Sequence, residues 1–252
     1  MSRPAAPDFP TADQPALSVV IPAFNEVDNV APLVDEVAAA LAVLDQGFEI
    51  IVVDDASTDG TAAVLRELSR ACLRPVFHRF NCGQSAAVAS GFRAARGEWV
   101  ATLDGDGQND PADLPAMLAR AVAENADCVT GVRRRRQDNL IRRISSRVAN
   151  RFRDWITGDR VTDSGCGVRV VRRVALAEVP VFNGMHRFLP TLLRGQGFTV
   201  IEHPVNHRER RAGVSKYGVG NRLWRGIRDC FGVRWYLRRA VRARRLAGEA
   251  SK

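Results

Sequence analysis

No stretch of the 252-residue chain approaches the roughly 18 consecutive apolar residues that a bilayer span needs, so the protein is not expected to cross a membrane by itself. Its five cysteines, at positions 72, 82, 128, 166 and 230, form no C-x-x-C pair. The histidines, at 78, 186, 203 and 207, lack metal-ligand spacing, so neither a zinc site nor a disulfide framework is expected and a reducing cytosol is the simplest home. The first 16 residues carry Pro4, Pro7, Pro10 and Pro15 without an apolar segment, so they are expected to be a disordered leader rather than a signal peptide. There is no internal repeat.

What is present is the balance of an ordinary globular protein, with a mean hydropathy of −0.16. At this size a compact fold buries roughly 70 to 75% of its unfolded surface, enough to stand without disulfides or structural metal. Charge is divided unevenly. Residues 1–132 hold 8 basic and 19 acidic side chains, net −11, and residues 133–252 hold 29 and 9, net +20. An acidic half suits a divalent metal, and a basic half suits phosphate, an anionic membrane or nucleic acid.

Val- and Ile-rich runs at 17–21, 48–53, 75–78, 99–103 and 128–132 alternate with segments of helical period at 30–44, 61–72, 85–95 and 114–123. Strands apolar on both faces and separated by helices imply a mostly parallel sheet covered on both sides, an α/β fold of nucleotide-binding type. Asp28 or Asn29, Asp59 and Asp110 stand where helix caps are expected, Asp110 just before Pro111. Downstream, 133–153 holds nine arginines and one aspartate around a stripe of Leu140, Ile144, Val148 and Phe152, which predicts an amphipathic helix. A short strand near 168–171, a helix near 188–193 and a strand at 199–205 follow. From Gly218, the residues Trp224, Ile227, Phe231 and Trp235 share one helical stripe, with Arg222, Arg225, Arg228 and Arg239 off it. Gly226 and Gly232 weaken that helix.

The segment richest in chemistry is Thr102-Leu-Asp-Gly-Asp-Gly-Gln-Asn-Asp110. It puts two carboxylates two residues apart at the carboxyl end of a strand, the end where open α/β sheets bind ligands. Asp104 and Asp106 are suited to hold one Mg2+ or Mn2+ together with diphosphate oxygens, with Gln108 as a neutral third oxygen. A solvated acidic turn is the plainer reading of that pair alone.

Two further strand ends change the balance: Val19-Val-Ile-Pro-Ala-Phe-Asn-Glu26 closes the first strand and Val52-Val-Asp-Asp-Ala-Ser-Thr-Asp-Gly-Thr61 the second. With Asp104-Gly-Asp106, in this order and spacing, they resemble the family 2 glycosyltransferases of the GT-A (Rossmann-like) fold. The segments 81–87, 130–133, 142–146, Asp163-Ser-Gly-Cys-Gly-Val-Arg169 and 208–217 narrow the resemblance to the polyprenyl-phosphate branch, which includes dolichol-phosphate mannosyltransferases and undecaprenyl-phosphate sugar transferases.

That resemblance implies roles residue by residue. Pro22, Phe24, Glu26 and Asp55 would line the nucleobase and ribose pocket, with Phe24 standing where many relatives have tyrosine. Asp104, Asp106 and Gln108 would hold the metal and diphosphate. Arg133, Arg142, Ser146 and Lys216 would hold the lipid phosphate, an anion near −2 that needs several fixed cations and hydroxyl donors. His207 stands just before this basic loop. The expected reaction is inverting transfer of a sugar from GDP-mannose or a UDP-sugar to dolichyl or undecaprenyl phosphate at the cytoplasmic face of the membrane. A phosphate acceptor is already an anionic nucleophile, so no catalytic base is needed.

Many relatives continue after the Ser215-Lys-Tyr217 motif into membrane-spanning helices, whereas here a polar, Arg-rich segment follows. The expected organisation is therefore a leader over 1–16, a catalytic domain over 17–217 and a basic amphipathic helical extension over 218–252. Attachment would be peripheral, to an anionic membrane surface or through a membrane protein partner. The alternatives are a GT-A transferase with a soluble or protein acceptor and a noncatalytic sugar-nucleotide sensor. A nucleic-acid partner would account for the basic half but not for the acidic strand ends.

Overall fold

The computed structural model describes residues 15–45, 47–134, 151–159, 161–208 and 219–240, with side chains of the last segment from residue 226. Seven strands form one sheet: β1 (Leu17–Ala23), β2 (Phe48–Asp54), β3 (Val76–Phe77), β4 (Trp99–Thr102), β5 (Cys128–Arg133), β6 (Arg169–Arg172) and β7 (Val200–Val205). Their order is β3-β2-β1-β4-β6-β5-β7. β1 pairs in parallel with β2 and β4, and β5 with β7. β6 runs antiparallel between β4 and β5, so the sheet is mostly parallel with one reversed strand.

Helices α1 (Val30–Leu41), α2 (Thr61–Glu67) and α4 (Leu114–Ala123) cover one face, where Val34, Leu65 and Met117 pack on Val19, Val52 and Val129. The other face carries α3 (Gln84–Ala94), a helix over 151–157 (α5), α6 (Arg173–Leu176), α7 (Leu189–Gly195) and α8 (Val219–Arg239). There Val88, Ile156, Leu176, Leu192 and Val233 pack on Val20, Val100 and Val171. Neighbouring strand residues such as Val19 and Val20 feed opposite cores, which is why these strands read as unbroken apolar runs.

Several boundaries differ from the sequence expectation. The helix predicted over 61–72 stops at Glu67, because Cys72 and Arg74 are taken up alongside β2: Ile50 N donates to Cys72 O at 2.7 Å and Arg74 N to Ile50 O at 2.8 Å. Asn29 precedes α1 but makes no cap bond; its amide donates to Glu26 Oε2 at 2.6 Å instead. Asp59 Oδ1 accepts from Thr61 N at 3.0 Å, and Asp110 Oδ1 caps the turn at Pro111–Asp113 through Ala112 N at 3.1 Å.

The two amphipathic stripes are described only in part. On α5, Arg153 and Ile156 face the core while Phe152 is exposed; Leu140, Ile144 and Val148 lie outside the described residues. α8 runs unbroken through Gly226 and Gly232 and is seated on the domain by Cys230 and Val233, with Tyr236 and Leu237 packed beside them. Phe231 and Trp235 of the predicted stripe point away from that core and are 55% and 62% exposed. No helix among the described residues is long and apolar enough to cross a membrane.

Candidate active site

The parallel register of β1, β2 and β4 brings their carboxyl ends together, so the loops at 24–29, 55–60 and 103–110 share one edge of the sheet. The first two loops are laced to each other. Asn25 N donates to Ser57 Oγ at 2.8 Å, Thr58 N to Asn25 Oδ1 at 2.7 Å and Glu26 N to Thr61 Oγ1 at 2.9 Å. Pro22, Phe24 and Glu26 lie half-buried along this edge. The third loop rests directly on the first strand: a Cβ on Gly105 would come within 2.8 Å of Pro22 O, a distance only glycine tolerates.

Asp55 is at the same edge, but its carboxylate is enclosed. Oδ1 accepts from Cys82 N at 2.9 Å and lies 2.7 Å from His78 Nδ1, and Oδ2 accepts from Gly83 N at 2.7 Å. His78 Nε2 in turn lies 2.9 Å from Ser90 Oγ. Asp55, His78 and Cys82 gather closely enough to suggest a metal cluster. Both ring nitrogens already have protein partners, however, and the network ties the end of β2 to the start of α3. Asp54 contributes Oδ2 to Ser57 N at 3.4 Å, while its buried Oδ1 has no partner among the described residues.

The acidic pair follows β4. Asp104 N donates to Asn109 Oδ1 at 2.9 Å and Gln108 N to Asp106 Oδ1 at 3.2 Å, which closes the loop on itself and aims both carboxylates to one side. Gln84, the first residue of α3, donates Nε2 to Asp104 Oδ1 at 3.0 Å. Against the other side of that carboxylate stands Gly167, where any Cβ would overlap it. Burial first, and then the charge of Asp106, push the Asp104 pKa up to about 6, against the pull of Arg169 and Arg133. Two half-buried carboxylates that repel each other in a hard oxygen set fit a divalent cation of the Mg2+ or Mn2+ kind.

The chain from β7 buttresses this loop. Asn109 and His207 form an antiparallel bridge, and Arg208 N donates to Gln108 O at 2.8 Å. The Arg208 guanidinium binds Glu36 Oε2 at 2.7 Å and Asp110 Oδ1 at 2.6 Å. Arg133, at the end of β5, is held by Asp163 through two bonds of 2.7 Å, Nε to Oδ2 and Nη2 to Oδ1. Arg142, Ser146 and Lys216 lie outside the described residues. Sequence reasoning assigned no role to Gln84, Asp163, Arg169 or Arg208. Arg169 carried a signal that was available: a charge inside the apolar run Val168-Arg-Val-Val171 must be buried.

The model of glycosyl transferase family 2 matches residues 18–179, the span from β1 to just beyond α6. The chain belongs to that family. Relatives of this family 2 glycosyltransferase include the dodecaprenyl-phosphate galacturonate synthase of Rhizobium johnstonii, 39% identical over 90% of this chain and 68% of that protein. The undecaprenyl-phosphate 4-deoxy-4-formamido-L-arabinose transferase of Aeromonas hydrophila is 36% identical over 81% of this chain and 63% of that protein. The family 2 chain thus spans about two thirds of these relatives' length, and both are polyprenyl-phosphate enzymes.

Solved structures share the architecture. Glucosyl-3-phosphoglycerate synthase from Mycobacterium tuberculosis, in complex with Mn2+, UDP and phosphoglyceric acid, superposes with a TM-score of 0.68 at 18% identity, over 92% of this chain and 81% of that one. A mannosyltransferase from Pyrobaculum calidifontis, in complex with GDP-Man and Mn2+, gives 0.61 at 21% identity over 95% and 74%. At such identities the likeness establishes the GT-A fold of the family 2 domain.

Proposed function

We propose that this glycosyltransferase moves a sugar from a nucleoside-diphosphate donor to a polyprenyl phosphate, with inversion at the anomeric carbon. The observation that carries the reading is the Asp104–Asp106 pair at the shared strand edge, facing the positive charge of Arg133 and Arg169. The acceptor class is supported by the two polyprenyl-phosphate relatives, whose names make galacturonate and 4-deoxy-4-formamido-L-arabinose the first sugars to try. Both relatives extend beyond the region matched here, so their substrates enter as candidates.

Asp104 and Asp106, with Gln108, would hold Mg2+ or Mn2+, which when bound supplies charge neutralisation for the departing diphosphate. Pro22, Phe24 and Glu26 would flank the nucleoside. Asp55 would act from behind them by fixing the 82–83 backbone. Arg133, kept in place by Asp163, would meet the acceptor phosphate together with Arg142, Ser146 and Lys216. The phosphate oxygen attacks directly, and fixed cations lower the repulsion between two anionic substrates.

Docking on an anionic membrane at its cytoplasmic face fits the outer side of α5 and α8. Trp155 is 76% exposed and lies near Phe152 on α5, and Phe231 and Trp235 are exposed on α8. Arg234 Nη1 donates to Ile156 O at 2.8 Å, joining the two helices into one face that also carries Arg238 and Arg239. Aromatic rings flanked by arginines match the headgroup region of an anionic bilayer.

The test is sugar transfer by the purified chain to undecaprenyl phosphate, with a panel of nucleotide sugars, Mg2+ and Mn2+. Asp106→Asn and an excess of EDTA should each abolish turnover, with the circular dichroism of the variant unchanged. Normal rates in either case remove the metal assignment. Transfer to a soluble acceptor with none to the lipid overturns the acceptor half.

A further inference from the structure

Arg169 is a buried arginine with no ion-pair partner among the described residues. It opens β6, where the register sets it beside Thr102 of β4 and Thr130 of β5, and it is only 4% exposed. Its Nε has no hydrogen-bond partner, and no ion pair joins its guanidinium to a carboxylate among the described residues. The other enclosed arginines differ. Arg133 is paired with Asp163, Arg172 with Glu98, and Arg153 with Asp154 and the Val161 carbonyl. Beside Arg169, Thr130 is 1% exposed and its Oγ1 is also without a partner among the described residues.

A buried, unpaired guanidinium is costly unless something anionic meets it. No carboxylate among the described residues meets it in a hydrogen bond or ion pair. Thr102 Oγ1 is committed to Gly167 O at 2.6 Å. Ser85 Oγ accepts from Gly184 N at 2.8 Å and lies 2.7 Å from His186 Nδ1. Burial, with the charges of Arg169 and Arg187, lowers the His186 pKa to about 3, so this ring adds no negative charge and no second positive one. Asp104 is within electrostatic reach of Arg169, but its oxygens are engaged by Gln84 and pressed against Gly167.

We propose that Arg169 anchors an anion subsite on the α3 side of Asp104 that takes phosphoryl oxygens of a substrate. Those oxygens belong either to the donor's diphosphate or to the acceptor's phosphate monoester. The inference rests on the proposed transfer between phosphate esters for the identity of its ligand. It does not rest on it for the subsite itself, which inorganic pyrophosphate tests directly.

The experiment uses the full chain, with Arg169→Met and Arg169→Lys. Without added metal, millimolar pyrophosphate should raise the melting temperature of the wild type; Arg169→Met should lose that shift and Arg169→Lys keep part of it. In the absence of any anion, Arg169→Met should melt no lower than the wild type, since it removes a charge that has no partner. Two ligand arms then name the source: UDP or GDP with Mg2+, and undecaprenyl phosphate in detergent. A tenfold or greater loss of affinity on either arm supports the subsite and assigns it.

The proposal is overturned if the wild type shows no pyrophosphate shift, or if Arg169→Met retains the shift and both affinities. It is also overturned if both variants melt well below the wild type, which would make Arg169 a structural residue. A wild type that responds to pyrophosphate yet transfers no sugar sinks the transferase reading and leaves the subsite standing.

Discussion

At Asp104 the proposed metal binding and stability pull in opposite directions. Its carboxyl has a pKa of about 6 in the folded chain against an ordinary value of 3.8. Between those values the folded state holds more protons than the unfolded one, so this group lowers stability as pH rises through the window and the penalty is complete above it. A bound cation must displace the proton, so Mn2+ affinity should fall about tenfold per pH unit below ~6 and level off above ~7. Mn2+ titrations followed by electron paramagnetic resonance from pH 5 to 7.5 would check this; a flat profile contradicts it. Asp104→Asn should accordingly raise the melting temperature at pH 7 while removing metal binding. Gly167→Ala should reach a similar functional result by another route, because its methyl group occupies the place of the Asp104 carboxylate.

Among the elements, α3 is the one the site depends on, since it delivers Gln84 to Asp104 and receives the staple from Asp55. It lies close on β1 because Gly91 leaves room for Val20, whose side chain a Cβ at position 91 would overlap. Gly91→Ala should therefore cost about 1–3 kcal/mol, the usual penalty of overpacking a filled core. Gly226 of α8 is also helical, yet a Cβ there meets open space. Gly226→Ala should stabilise by roughly 0.5–1 kcal/mol through lost backbone freedom in the unfolded chain. Urea denaturation of the two variants gives a paired comparison, and the same sign for both would refute the packing argument.

For the whole molecule, the uneven charge acquires a direction. Asp54, Asp55, Asp104 and Asp106 stand at the carboxyl ends of β2 and β4, while Arg234, Arg238 and Arg239 line the exposed aromatic face of α8. If that face docks on lipid, the wild type should float with vesicles rich in phosphatidylglycerol and detach progressively as salt is raised. The combination Trp155→Ser, Phe231→Ser and Trp235→Ser should abolish flotation and leave the melting temperature nearly unchanged, because all three side chains are exposed. Undiminished flotation of the triple variant excludes this face as the anchor.

The strand and helix alternation of residues 17–132 and the placement of Asp104 and Asp106 at a strand end were determined by the sequence alone. The apolar period, the turn residues and the order of motifs all act within a few neighbours along the chain. Other features wait on long-range contacts that no local pattern encodes. The reversal of β6 and its insertion between β4 and β5 bring Gly167 and Arg169 to Asp104 from more than sixty positions away. The same folding pairs Arg133 with Asp163, clamps Arg208 to Asp110 and Glu36, and chooses Cys230 and Val233 as the buried side of α8 over Phe231 and Trp235. A helix with apolar residues on more than one side has no local reason to prefer either; the surface it meets decides, and here that surface is the core built from Ile156 and the strands beneath it.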